Sequence, residues 1–437
     1  MSSKHYFIYT FGCAMNEYDT ERIAASLEAR GYIPSDTVDD SDFIVLNTCS
    51  VREKPQAKIL SYLGQIKLLK EKRPDMIVGV SGCVAQQEGD KFLKNNKVVN
   101  FVMGTDAVSH IDDIIDRALN GERFADTEVD SSSFSISSFN RKDKIAANVT
   151  IMKGCNNFCS YCIVPYVRGR EVSRTPEEII NEVKSLVSKG VKEVCLLGQN
   201  VNSYGRNLSK KIDFPDLLSL VNKVEGLERI RFVTSHPKDF SDKMIYAMAE
   251  NDKVCRYLHL PLQSGSNQIL KAMNRRYTYE EYKEKILKAR EVMPDIEFSS
   301  DFIVGFPNET DEDFNATLNA VKEIGYDRIF AFNYSKRPGT KAFDMEDNVP
   351  AEVKSERLNS LFELQDSLYD KKLPSLTGIK TEVLITDINE DKEFPYYGLN
   401  MYNRKVAFSS DKSLNYGDTV NVLIQNARRN CLYGIEV

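Results

Sequence analysis

Three cysteines lie within one short loop, in the run Cys155-Asn156-Asn157-Phe158-Cys159-Ser160-Tyr161-Cys162. Thiolates are soft ligands for iron, and three of them can hold three irons of a four-iron cluster while the fourth iron has no protein ligand. An iron without a protein ligand can bind a cofactor. The C-x3-C-x2-C spacing therefore predicts an iron–sulfur cluster with one open coordination position.

Structural zinc and disulfide bonding are the competing interpretations of this loop. A structural zinc site needs a closed tetrahedral set, and no histidine lies between His110 and His236 to complete one. Nine cysteines in 437 residues is an odd count, far below that of a disulfide-rich secreted chain. Disulfides among such close neighbours would strain the loop. An iron site in a reducing cytoplasm is the favoured interpretation.

The composition limits the partners only broadly. No apolar stretch approaches the length of a membrane span, and the apolar run near the N-terminus is too short for a signal peptide. We therefore expect no membrane partner and a cytoplasmic location. The formal net charge of −6 disfavours indiscriminate nucleic-acid binding and leaves room for local basic patches.

Residues 1–125 alternate short apolar runs with helical patterns, which is typical of a parallel sheet covered by helices. The first three predicted strands each end in a cysteine: Cys13, Cys49 and Cys83. A single cysteine after a strand is usually a small buried apolar residue. Because these three lie one βα unit apart, the right-handed crossover rule places them at the same edge of the sheet. They predict a second cluster.

The rest of the chain divides into three parts. Residues 126–145 contain a Ser-rich linker, and residues 146–373 hold six further strand candidates with helices between them, as in an open (βα)6 partial TIM barrel. Residues 374–437 contain five short strand candidates and predict a small antiparallel β-barrel. The predicted fold class is α/β. Active sites of βα barrels lie at the carboxyl ends of the strands, where the cysteine loop falls.

At this point the motifs resemble a known family. The loop at 155–162, with Tyr161 before its third cysteine, resembles that of radical S-adenosylmethionine (SAM) enzymes, and the upstream cysteines resemble methylthiotransferases that carry an auxiliary cluster. The sequence NTCSVREK at 47–54 resembles the tRNA-modifying branch, the MiaB-type 2-methylthio-N6-isopentenyladenosine synthases. Further matches, RGRE at 168–171 and MNRRY at 273–277, extend the resemblance over essentially the whole chain.

The resemblance implies a reaction and its cofactors. SAM would bind the open iron of the cluster held by Cys155, Cys159 and Cys162, and one electron would cleave it to a 5′-deoxyadenosyl radical. The radical would take the hydrogen from C2 of the isopentenylated adenosine 3′ of the anticodon, a C–H bond that no side-chain base can break. A second 4Fe–4S cluster, held by Cys13, Cys49 and Cys83, would deliver the methylthio group.

The resemblance and the positions of polar residues also give site and partner expectations. No catalytic side chain is named, since clusters and SAM carry the chemistry. The expected SAM contacts are Tyr161, Gln199, Asn200, Ser235, Gln263 and Asp301. The expected RNA contacts are Arg168, Arg170, Lys336, Arg337, Arg404, Lys405, Arg428 and Arg429, the last four on a TRAM-like RNA-binding barrel. The expected partners are a tRNA anticodon stem-loop, a low-potential electron donor of the flavodoxin or ferredoxin type, and iron–sulfur assembly proteins.

Three rival functions stay open at the level of sequence. A sister enzyme would act on threonylcarbamoyl-adenosine in tRNA, and another would modify a ribosomal protein side chain with the same clusters. The run SVRE at 50–53 disfavours both. A third rival is a two-cluster electron carrier, which the open three-cysteine site disfavours because simple carriers ligate each cluster fully.

Overall fold

The computed structural model describes residues 4–49, 54–130, 134, 145–389 and 392–437. Most of the predicted Ser-rich linker, and residues 50–53 of the NTCSVREK segment, lie outside the described residues.

The N-terminal part is a parallel six-stranded sheet in the order β2-β1-β3-β4-β5-β6. Its elements are β1 His5–Thr10, α1 Ala14–Ala29, β2 Ile33–Pro34, β3 Phe43–Thr48, α2 Lys54–Lys72, β4 Ile77–Gly82, α3 Cys83–Asn95, β5 Phe101–Met103, α4 Ile111–Leu119 and β6 Phe124–Asp126. The predicted parallel βα sheet is confirmed. The short edge strands β2 and β6 were not predicted.

Both faces of this sheet are covered, as parallel sheets require. All six residues of the central strand β3 are buried. Phe43 and Val45 pack into one apolar core with α1 and α4, whereas Ile44 and Leu46 pack into a second core with α2 and α3. Alternate side chains of one strand thus anchor helices on opposite faces of the sheet.

The central part is an open βα barrel. Its elements are β7 Ala146–Thr150, β8 Met152–Lys153, α5 Val164–Val167, β9 Val172–Ser173, α6 Pro176–Val187, β10 Glu193–Leu197, α7 Phe214–Asn222, β11 Arg229–Phe232, α8 Asp242–Glu250, β12 Tyr257–His259, α9 Asn267–Ala272, α10 Tyr279–Val292, β13 Glu297–Val304, α11 Asp311–Ile324, β14 Arg328–Asn333 and α12 Ala351–Lys372. Two parallel three-stranded sheets, β7-β10-β11 and β12-β13-β14, are joined by a bridge between Ile230 and Val254. Among the described residues, β7 and β14 do not pair, which confirms the partial barrel.

Side chains alternate between the helix layer and the inner face of this barrel. Along β14, Ile329 and Ala331 join the core against the helices. Phe330 and Phe332 point the other way and are 38% and 39% exposed. Large apolar side chains therefore remain accessible on the inner face.

The C-terminal part is a closed five-stranded barrel in the order β15-β16-β17-β19-β18. Its strands are β15 Lys380–Ile388, β16 Tyr396–Asn400, β17 Lys405–Ser409, β18 Thr419–Arg428 and β19 Cys431–Glu436. The predicted small antiparallel β-barrel is confirmed: four of its five strand pairs are antiparallel, and β17 and β19 run parallel. Strand direction cannot alternate all the way round a ring with an odd number of strands, so one neighbouring pair must be parallel.

This small barrel covers the amino ends of the central strands, opposite the cysteine loop. Arg229, which begins β11, donates to Leu399 O at 2.5 Å, and Arg231 donates to Asn400 O at 2.6 Å. Arg404 forms ion pairs with Glu297, which begins β13, and with Asp327, just before β14. The small barrel thus covers the amino end of the βα barrel, whereas the cysteine loop lies at the carboxyl end.

In the described part of the chain, no helix is both long and apolar enough to cross a membrane.

Candidate functional site

The loop with three cysteines begins at a glycine that no other residue can replace without a shift. Gly154 has φ +75°, and a Cβ there would lie 1.9 Å from Arg170 O. Its N–H donates to the side-chain oxygen of Gln199 at 2.5 Å, and Cys155 N–H donates to Gly169 O at 3.1 Å. Contacts from both sides therefore fix the entry to the loop.

A second loop, after α9, holds the middle of the cysteine loop. Asn274 Nδ2 donates to Phe158 O at 2.8 Å, and Ser160 N–H donates to Met273 O at 3.0 Å. Asn274 has φ 58°, a left-handed conformation in which asparagine is tolerated. The MNRRY motif at 273–277 thus has a local role in clamping the loop.

Two donors face the sulfur of Cys159. Arg275 Nη1 donates to it at 3.3 Å, and His236 Nε2 lies 3.8 Å away. His236 Nδ1 accepts from Lys238 N–H, so in the neutral ring the proton is on Nε2, toward the sulfur. Burial, and then the charge of Arg275, hold the pKa of His236 well below its usual range. His236 is therefore a neutral donor beside a cysteine.

Two thiols of this loop, Cys155 and Cys162, are held protonated by their surroundings in the protein alone. Burial raises the pKa of Cys155 to about 11 and that of Cys162 to about 12, and the neighbouring Cys159 acts in the same direction on both. Cationic metal centres reverse this preference, because a coordinating thiol is deprotonated outright.

The other three cysteines follow adjacent strands at the carboxyl edge of the N-terminal sheet. Cys13 precedes α1, Cys49 follows β3, and Cys83 begins α3. A buried amide pair ties the first two turns together: Asn16 Nδ2 donates to Asn47 Oδ1 at 2.9 Å, and Asn47 Nδ2 donates to Asn16 O at 2.8 Å. The sequence places these cysteines far apart, and the fold brings them to one edge.

Cys13 has the opposite electrostatic tendency from the barrel thiols. A hydrogen bond with Cys49 lowers the pKa of Cys13 to about 5, with the charge of Arg168 acting in the same direction and burial opposing it. Cys13 also donates to Asn16 Oδ1 at 3.4 Å when protonated. A thiolate is thus favoured at this edge before any metal is present.

The two triplets lie on either side of one short segment. Cys83 packs against Ile163 and Val167, which follow directly after the cysteine loop. Thr105 Oγ1 donates to Val167 O at 2.6 Å, which fixes the N-terminal part to the same segment. Cys83 therefore lies at the interface between the N-terminal sheet and the segment that follows the cysteine loop.

The residues present suit iron–sulfur clusters and SAM. All the cysteines are free of disulfides. No three His, Cys, Asp or Glu side chains of the described ranges converge as they would on a single metal ion. Four buried polar atoms on the rim loops have no partner among the described residues: Asn157 Nδ2, Asn200 Oδ1, Asn202 Nδ2 and Ser235 Oγ. Buried polar atoms are rarely left unpaired, so these indicate a place for a polar ligand.

The expected SAM contacts fall into two groups. Asn200 and Ser235 carry unpaired polar atoms, as a ligand contact requires. Gln199 instead supports the cysteine loop through Gly154, and Tyr161 OH accepts from Arg275 at 3.4 Å. Gln263 is buried with φ 77°, and Asp301 lies within β13, with its Oδ2 3.3 Å from His259 Nε2. Their ligand roles stay predictions.

Strained backbone is concentrated on this rim. Seven described non-glycine residues have positive φ, and six of them lie in the cysteine loop, its clamp or the loops after β11, β12 and β13: Phe158, Thr234, Gln263, Asn274, Arg276 and Asn308. Such positions are typical of ligand-binding sites, and for a β-branched Thr234 the conformation is rare.

Two of the expected RNA contacts are buried in this structure. Arg168 pairs with Asp19 of the N-terminal part, with 3.3 Å between Nη2 and Oδ2. Arg404 is buried in its ion pairs with Glu297 and Asp327, because it joins the small barrel to the central strands. Both guanidiniums therefore bind carboxylates of the protein and are not exposed on its surface.

The other basic candidates are closer to solvent. Arg170 is exposed and its guanidinium lies over the ring of Phe158, 4.4 Å from the centroid. Lys336, Lys405 and Arg428 are also exposed, whereas Arg337 is half-buried. Arg429 is exposed but forms ion pairs with Asp366 and Asp370.

Sequence reasoning missed several residues of the site. The donors to Cys159, Arg275 and His236, are separated from it by over seventy residues of chain and were not assigned to it. The exposed Phe330 and Phe332 could not be distinguished from core residues by sequence. Only the structure shows that these two side chains of β14 point away from the helices, whereas their neighbours point toward them. The MNRRY motif was the one available signal.

The comparisons with known proteins agree with this geometry. Residues 149–321 match the Radical SAM superfamily, and residues 5–104 match a family described as Uncharacterized protein family UPF0004. Among solved structures, the radical S-adenosylmethionine methyltransferase TsrM from Kitasatospora setae is 15% identical, with a TM-score of 0.58, covering 78% of this chain and 75% of that one. That likeness shows the fold. The fold and the cysteine loop define a radical SAM enzyme, with SAM and iron–sulfur chemistry.

Curated relatives identify the branch. The tRNA-2-methylthio-N(6)-dimethylallyladenosine synthase of Clostridium beijerinckii is 45% identical over 99% of this chain and 95% of its own length. The synthase of the same name from Geotalea uraniireducens is 46% identical over 98% of both chains. The chain belongs to this family of synthases.

Proposed function

We propose that this protein methylthiolates C2 of N6-dimethylallyladenosine next to the anticodon of tRNA. The observation that carries the proposal is the packing of Cys83 against Ile163 and Val167, just after the cysteine loop, on a chain similar over nearly its full length to synthases of that name. Cys155, Cys159 and Cys162 would hold the cluster that binds SAM, and Cys13, Cys49 and Cys83 the auxiliary cluster.

The chemistry divides between the cofactors and the protein. When bound, the two clusters and SAM would supply a 5′-deoxyadenosyl radical that removes the C2 hydrogen and a methylated sulfur that replaces it. Arg275 and His236 would direct N–H groups at the sulfur of Cys159, which stabilises its negative charge. Asn200 and Ser235 would pair with polar groups of SAM.

The inner face of the barrel offers a place for the modified base. Ile303 and Tyr161 of the cysteine loop both pack against the apolar cluster that contains Phe306, and the register of the sheet pairs Ile303 with Phe332. Phe330 lies one step further along β14, paired with Asp301, and its ring is edge-on to His259. We infer that the two phenylalanines contact the adenine and its apolar dimethylallyl group, beside the radical source.

The RNA would approach over the rim. Arg170 and Lys336 are exposed on rim loops and each lies over an aromatic ring, of Phe158 and Phe343 respectively. Cations and aromatic faces are typical of sites that bind phosphates and unstacked bases. The nucleotide must leave its stack to enter the barrel. A low-potential donor of the flavodoxin or ferredoxin type would supply the electron, and iron–sulfur assembly proteins would load the clusters.

The test combines anaerobic assay with nucleoside analysis. The reconstituted protein, a reductant and SAM should yield 5′-deoxyadenosine, and tRNA carrying N6-dimethylallyladenosine should gain a methylthio group detected by mass spectrometry. Bulk tRNA from a strain lacking the gene should contain the unmethylthiolated nucleoside. Loss of a methylthiolated threonylcarbamoyl-adenosine instead would contradict the proposal and favour the sister activity.

A further inference from the structure

Arg168 is a buried guanidinium between the N-terminal sheet and the barrel rim. It is 6% exposed, follows α5, and pairs with Asp19 of α1 at 3.3 Å. Val167, the residue before Arg168, packs against Cys83, and the guanidinium of Arg168 interacts electrostatically with Cys83 and Cys13. A cation from the barrel part of the chain thus lies beside cysteines that follow two strands of the N-terminal sheet.

Arg168 belongs to a network of linked charges. Asp19 faces Arg22 as well as Arg168, and Arg22 faces Glu182, which pairs with Arg174 at 2.6 Å. Asp19 therefore divides its negative charge between two guanidiniums, and the field of Arg168 is only partly offset by its carboxylate partner.

Iron–sulfur clusters held by thiolates carry net negative charge, and their reduction potentials depend on net charge and on hydrogen bonds to the sulfurs. We propose that Arg168 is the positioning residue of the auxiliary cluster and that its charge raises the reduction potential of that cluster. The proposal rests on the proposed function for the existence of that cluster. It assigns no step of the reaction to Arg168.

Two substitutions should move the potential in opposite directions. Arg168→Gln removes the positive charge and should lower it, whereas Asp19→Asn removes the charge that Arg168 is paired with and should raise it. A unit charge within a few ångströms in a protein interior is worth enough to change the ratio of reduced to oxidised cluster by at least about tenfold at a fixed potential. Arg168→Lys keeps the charge and should restore most of the wild-type value.

Arg174→Gln is the matched control. Arg174 is as buried as Arg168, belongs to the same network of linked charges and has a carboxylate partner, but no described contact joins it to a cysteine. The Arg174→Gln substitution should reduce stability without changing the reduction potential of the auxiliary cluster.

The measurement is an electron paramagnetic resonance redox titration of the full chain with both clusters. The signal that changes on adding SAM belongs to the barrel cluster and should keep its potential in every variant.

The outcomes are decisive in each case. A potential unchanged in both Arg168→Gln and Asp19→Asn, or an equal shift in Arg174→Gln, would overturn the proposal. If Arg168→Gln fails to load the cluster, Asp19→Asn and Arg168→Lys decide, with a raised and a near wild-type potential supporting it. A wild-type protein with iron for only one cluster would instead overturn the proposed function, and this inference with it.

Discussion

The two ends of the central barrel differ in how their polar groups are satisfied. At the carboxyl rim, Asn200 Oδ1 and Ser235 Oγ are buried without partners, and several loops adopt positive φ. At the amino end, Arg404 pairs with Glu297 and Asp327. The buried atoms left unpaired there belong to side chains that form ion pairs through their other atoms: Glu193, Arg229 and Arg231. Strained loops with unpaired groups are features of a ligand site, whereas a network of ion pairs is a feature of a structural joint. The rim is therefore built for chemistry and the far end for stability.

The largest effect should come from the cysteine loop on the rim. Replacing Cys155, Cys159 and Cys162 with Ala should abolish SAM cleavage and halve the iron from about eight atoms per chain. The measurement is 5′-deoxyadenosine with iron analysis. The rim is assigned to chemistry and not to stability. The cofactor-free variant should therefore unfold at the same temperature as the cofactor-free wild-type protein. Residual 5′-deoxyadenosine in the triple variant would show that the SAM cluster lies elsewhere.

The facing triplet should separate the two halves of the reaction. With Cys13, Cys49 and Cys83 changed to Ala, SAM cleavage should continue while methylthiolated tRNA is absent, because only sulfur delivery needs the auxiliary cluster. Parallel assays of 5′-deoxyadenosine and of tRNA nucleosides measure this. If cleavage also disappears in a variant with wild-type circular dichroism, the N-terminal sheet is required to complete the SAM site.

The amino end should respond in stability. Arg404→Met leaves the two buried carboxylates Glu297 and Asp327 with only the partly exposed Lys372 as a cation, which should cost up to about 3–5 kcal/mol of unfolding free energy. Burial and the charge of Asp327 already raise the pKa of Glu297. Since a carboxyl group with a raised folded pKa stabilises the fold at low pH and loses that contribution as pH rises, the deficit should grow from about pH 5 to about pH 8.

Urea denaturation at the two pH values measures this, and activity per folded molecule should stay unchanged. Arg429→Met is the control, because its ion pairs with Asp366 and Asp370 are exposed and should contribute little. If both variants lost the same unfolding free energy, the buried ion pairs of Arg404 would contribute no more to stability than the exposed ion pairs of Arg429.

Inside the barrel, Phe330→Ala should reduce discrimination for the prenylated base. Loss of one apolar contact of about 1.5–3 kcal/mol should lower kcat/KM for N6-dimethylallyladenosine by about tenfold to a hundredfold, with little change for the unprenylated stem-loop. Phe362→Ala is matched, since Phe362 is also 38% exposed but lies on the outer helix α12. Equal losses on both stem-loops would assign Phe330 to the adenine or to the fold.

The sequence predicted the local site better than the distributed one. The cysteine loop is contiguous, so spacing alone indicated its chemistry, and regular βα alternation indicated both the sheet and the partial barrel. The positions of Arg168 and Arg404 could not be predicted, because a basic residue has the same letter on a surface and under a neighbouring domain. The pattern of charges along a sequence indicates which faces of helices and strands are exposed to solvent. Whether an arginine is buried depends on contacts between segments that are distant in sequence, which the pattern does not show.

The smallest effect should be on the salt dependence of tRNA binding. Of the four basic residues expected to contact RNA on the small barrel, Arg404 is buried and Arg429 is paired, which leaves Lys405 and Arg428 exposed. Changing both to Ala should flatten the plot of log affinity against log salt by at most about one unit per lost contact. An RNA that enters at the rim must pass along the side of the barrel to reach them, so Arg170→Ala with Lys336→Ala should flatten the slope more. A larger change from the far-end pair would break the division of the molecule into a chemical end and a structural end.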